Sequence, residues 1–278
     1  MILEMLLPFA IFLGASLPSP ALPSPLQSAE ELLPPRFHLI PERFAVEPGS
    51  PVRFACLGLL SDRLSFTENV ESAVLFTEGT SANLLDLHGV DAEGWLALKP
   101  GVTGGALFGC EGVSRVIDFP VERLESIASA ISRDPELLTK LRASSSPPSV
   151  RCTRSACALF SIGQPGLGAV SLKKSSFSAS VRLYADPTSI RVGGDLPLRL
   201  YVKGEPMPLV KLRAGSDGQE QAQELFSDSE GFARVKLDRP GVWQVEFSAI
   251  RAARRDAAAE WVHASHSLVF FVPAAGGR

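Results

Sequence analysis

The chain is poor in the side chains that chemistry most often uses. Its 278 residues include 4 histidines, 4 cysteines, 3 tryptophans and 2 tyrosines. There is no Gly-x-Ser-x-Gly elbow, which removes the usual strained-turn serine nucleophile. The glycine-rich pieces Gly101–Gly105 and Gly163–Gly168 lack a Lys-Ser or Lys-Thr end, so neither is a phosphate loop. Cys152 and Cys157 have no second Cys/His pair at zinc spacing. A basic stripe is missing too. The chain has 27 basic and 30 acidic residues, a net charge of −3, and Lys173-Lys174 and Arg251–Arg255 are short and isolated. Nucleic acid and anionic membrane surfaces both need clustered cations to displace counterions, so neither is an expected partner.

Long apolar runs are also scarce. The longest, Met5 to Leu13, falls well short of the roughly 20 residues a permanent membrane helix needs. It has the length of a secretory h-region, with Ser19-Pro20-Ala21 as a cleavage candidate. Residues 1–29 are therefore expected to be a leader. The mature protein is expected to be periplasmic or secreted, with no permanent membrane span. Glu4 stands where a signal carries Lys or Arg, so a retained N-terminal anchor is the alternative.

What the chain does contain is a duplicated signature. Pro41–Phe54 includes Pro-Gly-Ser-Pro51-Val-Arg-Phe, and Pro187–Leu200 includes Gly-Gly-Asp-Leu-Pro197-Leu-Arg-Leu, with both prolines at one offset. Asp91-Ala-Glu-Gly-Trp95 is echoed by Asp228-Ser-Glu-Gly-Phe232, each followed by Pro-Gly. Short apolar runs punctuated by Gly, Pro and Asp recur through both copies and read as strands: Val52–Cys56, Ser72–Phe76, Trp95–Leu98 and Ala106–Phe108, then Leu196–Val202, Val210–Arg213, Gly231–Leu237, Val242–Ser248 and Ser267–Val272. Asp228–Gly231 is a hairpin signal. Between the copies the period becomes helical from Val121 to Leu141, broken at Asp134-Pro135, and then comes Ser144–Ser149. Arg151 to Gly163 reads as one more helix-to-strand passage.

The expected fold is mainly β: two immunoglobulin-like antiparallel β-sandwich modules, residues 36–119 and 181–273, joined by a helical and Ser/Pro segment, residues 120–180. The order Gly194–Leu212, Asp228–Val235, Pro240–Trp243 and Ser267–Val272, with Pro41–Phe44 and Pro48–Val52 in the first half, resembles the family called domain of unknown function 4198. That resemblance implies a secreted or periplasmic β-rich protein, some of whose relatives are linked to nickel or cobalt uptake. The family's leading histidine position holds Pro35 here and His38 falls where an aromatic is common, so no metal site is carried over.

Donors for a transition metal would come from His38, His263 and His266. On a strand, His263 and His266 face opposite ways, His266 with Leu268 and Phe270, His263 with Trp261 and Ser265. His88 reads as a loop residue. Cys56 and Cys110 each end an apolar run and are the disulfide candidates, while Cys152 and Cys157 could pair only across a turn. Asp228 and Glu230 read as turn residues rather than calcium ligands, and Trp95, Trp243 and Trp261 as core anchors. The chain is thus read as a non-enzymatic binding or scaffolding protein of the envelope, with no resident cofactor and an envelope protein or small ligand as its partner. A nickel/cobalt uptake accessory is the alternative. A hydrolase would need a serine or cysteine clustered with His88 or His263.

Overall fold

Among the described residues, side-chain alternation gives three sheets and one pair of α-helices. The computed structural model describes residues 38–57, 69–84, 95–144, 147–164, 166–217, 219, 221–253 and 258–274. The expected leader and His88 lie outside the described residues. The first half supplies β1 (His38–Pro41), β2 (Ala45–Val46), β3 (Val52–Leu57), β4 (Val70–Phe76), β5 (Ser81–Asn83), β6 (Leu96–Leu98), β7 (Gly104–Gly112) and β8 (Arg115–Asp118). Helices α1 (Val121–Ile131) and α2 (Pro135–Arg142) follow, then β9 (Ser149–Ile162). The second half supplies β10 (Ala179–Leu183), β11 (Gly194–Val202), β12 (Glu205–Pro206), β13 (Lys211–Ser216), β14 (Gln223–Phe226), β15 (Phe232–Leu237), β16 (Gly241–Ala252) and β17 (Trp261–Val272). Among the described residues no helix is long and apolar enough to cross a membrane.

The architecture is the expected mainly β, sandwich-type one, but the segment 120–180 does more than join. Its strand β9 spans 14 residues and sits in the middle of a ten-stranded sheet ordered β14-β13-β16-β17-β9-β7-β4-β5. β9 pairs antiparallel with β7 and parallel with β17. Read outward from that seam, β9-β7-β4-β5 matches β17-β16-β13-β14, each run antiparallel throughout. Two copies that meet through parallel strands stand in the relation of a two-fold axis along those strands. Such an axis keeps strand direction and exchanges the faces of the sheet.

The cores obey that exchange. Leu107 of β7, Cys157 and Leu159 of β9, Phe247 of β16 and Leu268 and Phe270 of β17 point to one face, against the four-stranded sheet of β10, β11, β12 and β15. Phe108, Cys110, Ala158 and Phe160 point to the other, against the three-stranded sheet β1-β3-β6. On that second face α1 and α2 cover Val150, Cys152, Ile250 and Trp261. The duplicated signature falls at matching places. Val52–Phe54 lies in β3 and Leu198–Leu200 in β11, each the middle strand of a smaller sheet, with Trp95 just ahead of β6 and Phe232 opening β15, the strands that pair with them.

One local expectation holds and another changes. Asp134-Pro135 does break the helical run, because Asp134 caps α2 by accepting the Glu136 amide at 2.9 Å, with proline in the first turn. Asp228–Gly231, however, is a corner rather than a hairpin: β14 belongs to the ten-stranded sheet and β15 to the four-stranded one. Asp228 Oδ1 accepts the amides of Glu230 and Phe232 at 2.8 and 2.9 Å, and Gly231 takes φ +85°. Those amide bonds hold the Asp228 carboxyl below its ordinary pKa.

Candidate functional site

On each face the smaller sheet leaves part of the ten-stranded sheet uncovered, and a trough opens beside it. On the face of the four-stranded sheet this trough is a cavity of about 510 Å³. β9 contributes Arg151 and Thr153, two residues apart and so on one face. Glu71 comes from β4, Glu111 from β7 and Arg251 from β16. Lys203 is delivered by the two-residue turn Lys203-Gly204 between β11 and β12, with φ of 50° and 83°.

Several of these groups are already held. Glu111 accepts the Ser178 amide at 2.9 Å, and Lys203 Nζ donates to Ser178 Oγ at 2.7 Å. Arg251 donates to the Val202 carbonyl at 3.1 Å and pairs with Glu205 at 2.5 Å. Two are not. The Arg151 side chain makes no hydrogen bond or ion pair among the described residues. Thr153 is 4 % exposed and its Oγ1 has no hydrogen-bond partner. A guanidinium without a side-chain partner thus lies on the strand floor of the trough, next to a buried hydroxyl that also lacks one, although buried polar atoms almost always find a partner.

A second trough lies on the opposite face, between β1 and the strands β13 and β16, with a volume of about 450 Å³. His38 belongs to this side and shares a hydrogen bond of 2.9 Å between its Nδ1 and Gln244 Nε2. The candidate metal donors do not converge. His263 and His266 point to opposite faces of β17, as the strand period requires. Among the described residues no group of three His, Cys, Asp or Glu could hold a metal ion.

His266 is paired instead with a serine that sequence reasoning did not single out. Ser155 Oγ lies 2.8 Å from His266 Nδ1 and 2.8 Å from the Ala179 carbonyl. The carbonyl can only accept, so the serine proton goes to it, and Nδ1 must carry the proton that reaches Oγ. A histidine in that tautomer cannot take a proton from the same serine. Both residues are buried in the core, and burial lowers the imidazole pKa to about 3. The Ser155 hydroxyl thereby ties β9 to β10, and burial keeps the imidazole neutral.

The cysteines are equally withdrawn. All four are thiols in this structure, and the Cys56–Cys110 bridge is not formed. Cys56 lies in β3 and Cys110 in β7, on opposite walls of one core rather than on neighbouring strands. Cys152 and Cys157 sit on one continuous strand and point into different cores, so no turn brings them together. Burial pushes Cys56 and Cys157 up to about 12 and Cys152 to about 11. Thiolates, the reactive form, are therefore suppressed. Trp243 and Trp261 are buried anchors, and half-buried Trp95 lies under the Arg53 guanidinium at 5.1 Å.

No protein-family model matches the chain, and no curated protein sequence matches it. Among solved structures, the D0-D1 domain of intimin aligns at 11 % identity over 85 % of this chain and 97 % of its own, with a TM-score of 0.20. Fibronectin(III)-like modules of CbhA from Clostridium thermocellum align at 10 % identity over 85 % and 95 %, with a TM-score of 0.21. Murine CEACAM1b aligns at 8 % identity over 86 % and 98 %, with a TM-score of 0.20. Likenesses at that score carry no argument about ligand or partner.

Proposed function

We propose that the chain is an exported, non-enzymatic binding protein of the cell envelope, and that its ligand or partner segment sits in the trough at the junction of the two halves. The observation that carries this reading is the pair of unspent donors, Arg151 and Thr153, on the floor of the larger cavity. The N-terminal apolar run supports export, and the order of motifs shared with the domain of unknown function 4198 family supports an envelope location. Dispersal of the histidines over both faces gives the nickel/cobalt alternative no specific support.

The test uses a rim substitution that fills the trough without touching the core. Wild-type protein and Ser114→Trp are compared by ligand-observed NMR against a library of small metabolites and short peptides. Ligands of the trough should bind wild type and lose at least about 10-fold in affinity with Ser114→Trp and with Arg151→Gln. Binding that is unchanged in both variants would place the site elsewhere.

A further inference from the structure

The outer face of the four-stranded sheet carries a second surface, and nothing about the trough depends on it. In β11 the residues Leu196, Leu198, Leu200 and Val202 fill the core, which sends Asp195, Pro197, Arg199 and Tyr201 to the other side. By the same alternation β10 sends out Arg182, and β15 sends out Phe232, Arg234 and Lys236. Register then assembles them. Arg182 lies opposite Arg199, which lies opposite Phe232, while Pro197 meets Arg234 and Asp195 meets Lys236.

Two arginines directly opposite on one face repel, and a carboxylate between them would be the ordinary remedy. Here the cations rest on rings instead. The Arg199 guanidinium lies 4.5 Å from the Phe232 ring and 5.6 Å from that of Tyr201. Arg182 lies 5.1 Å from the Tyr184 ring, and Lys174 Nζ lies 4.2 Å from that of Tyr201. Tyr184 and Phe232 pack at 5.2 Å, so the rings form one patch beneath the charges. Of the five cations Lys174, Arg182, Arg199, Arg234 and Lys236, none forms an ion pair among the described residues. Asp195 is the sole carboxylate on the three strands of this face, with Asp228 and Glu230 at its edge. Elsewhere the protein pairs its charges, as with Lys211 and Arg213 around Glu224.

We infer that this face docks an anionic polysaccharide, its carboxylate or sulfate groups meeting the ring-supported guanidinium and ammonium groups. Charge complementarity selects a polyanion, because a chain of net charge −3 holds five cations without an ion pair on one face. Strand placement and ring capping select the acidic glycan among polyanions. A duplex is read by an element that enters a groove, and single strands are held by bases stacked on open aromatic faces. Arg182, Arg199, Arg234 and Lys236 sit on strands rather than on an element that enters a groove, and Phe232 and Tyr201 lie under cations, which leaves Tyr184 as the one exposed ring among the described residues of this face, too few to stack successive bases.

Affinity electrophoresis of the full chain tests the inference, with heparin and alginate as sulfated and carboxylated probes. Dextran, a single-stranded DNA oligonucleotide and anionic phospholipid vesicles serve as comparisons. Heparin and alginate should retard the protein, with binding that weakens as salt rises. Arg182→Gln combined with Arg199→Gln should lose at least about 10-fold and show a shallower salt dependence. The variant keeps the inner face intact, so its thermal midpoint should match wild type. Lys211→Gln combined with Arg213→Gln, which removes paired cations from a different strand, should change binding less than about 2-fold. The inference is overturned if neither acidic glycan binds, if dextran binds equally, if the two double variants lose equally, or if DNA or vesicles bind more tightly than both glycans.

Discussion

The two halves of the molecule follow one plan and are closed by different means. In the first, the smaller sheet is built from strands of 4, 6 and 3 residues around phenylalanines, with Phe54 rings 4.6 Å from Phe108 and 5.3 Å from Phe160. In the second, β11 and β15 run for 9 and 6 residues over Trp243, whose indole N–H donates to the Arg239 carbonyl at 3.0 Å. The second half also latches its open edge. Gln223 of β14 donates to the Lys236 carbonyl at 2.7 Å and accepts its amide at 3.2 Å, so one side-chain amide does the work of a strand pair between two sheets. In the first half β2 pairs with the end of β9 instead, and residues 166–177 cover the other face of β7, where Leu167, Val170 and Phe177 join the core under the four-stranded sheet. A repeated polarity pattern therefore specifies the sheet pair, while closure is left to residues that differ between the copies.

The hardest way to break the comparison is to hollow each core in turn. Phe54→Ala and Trp243→Ala each empty a fully buried site and should cost about 3–5 kcal/mol. Because β9 and β17 share a ladder, both variants are expected to melt in a single calorimetric transition. Two resolved transitions would show that the halves are uncoupled. A smaller effect isolates the cover over β7. A Cβ at Gly109 would lie 2.3 Å from Phe177 Cε2 and 2.8 Å from Cys157 Sγ. Gly109→Ala should thus cost about 1–3 kcal/mol in urea titration, whereas Gly79→Ala, with nothing within 4 Å, should be near neutral.

A pH-dependent effect is carried by protons at the seam. His266 is buried neutral, with its pKa lowered to about 3, and takes a proton at about 6.5 once unfolded. Its contribution is complete above about pH 6.5 and is lost as pH falls toward the folded value, by up to ~1.4 kcal/mol per pH unit. His266→Gln should flatten the acid limb of the urea midpoint measured between about pH 7 and about pH 4. Equal slopes in the two proteins would remove His266 as the source.

Much of this was legible where one face is wet. Leu196–Val202 and Phe232–Leu237 alternate cleanly because solvent lies on one side, and Asp134-Pro135 announced both a stop and a start. β9 was not. Its sequence SVRCTRSACALFSI carries polar residues on both faces, and Thr153, Arg154 and Ser155 are buried nonetheless, since the strand has cores on both sides. Neither was the trough, whose Arg151 and Lys203 are far apart in the chain and meet only through long-range pairing. The cationic face escaped for a related reason. Its charges are interleaved with core leucines and valines from Lys174 to Lys236, so no window of sequence looks basic.

The parallel seam also has a consequence for biogenesis. β9 is made well before β17, and the strand that completes its ladder is the last one described in the chain. Until that strand emerges, whether from a ribosome or through a translocon, the first half waits with a long apolar edge uncovered. An interrupted chain ending ahead of Trp261 would keep that edge, with no internal partner left to cap it.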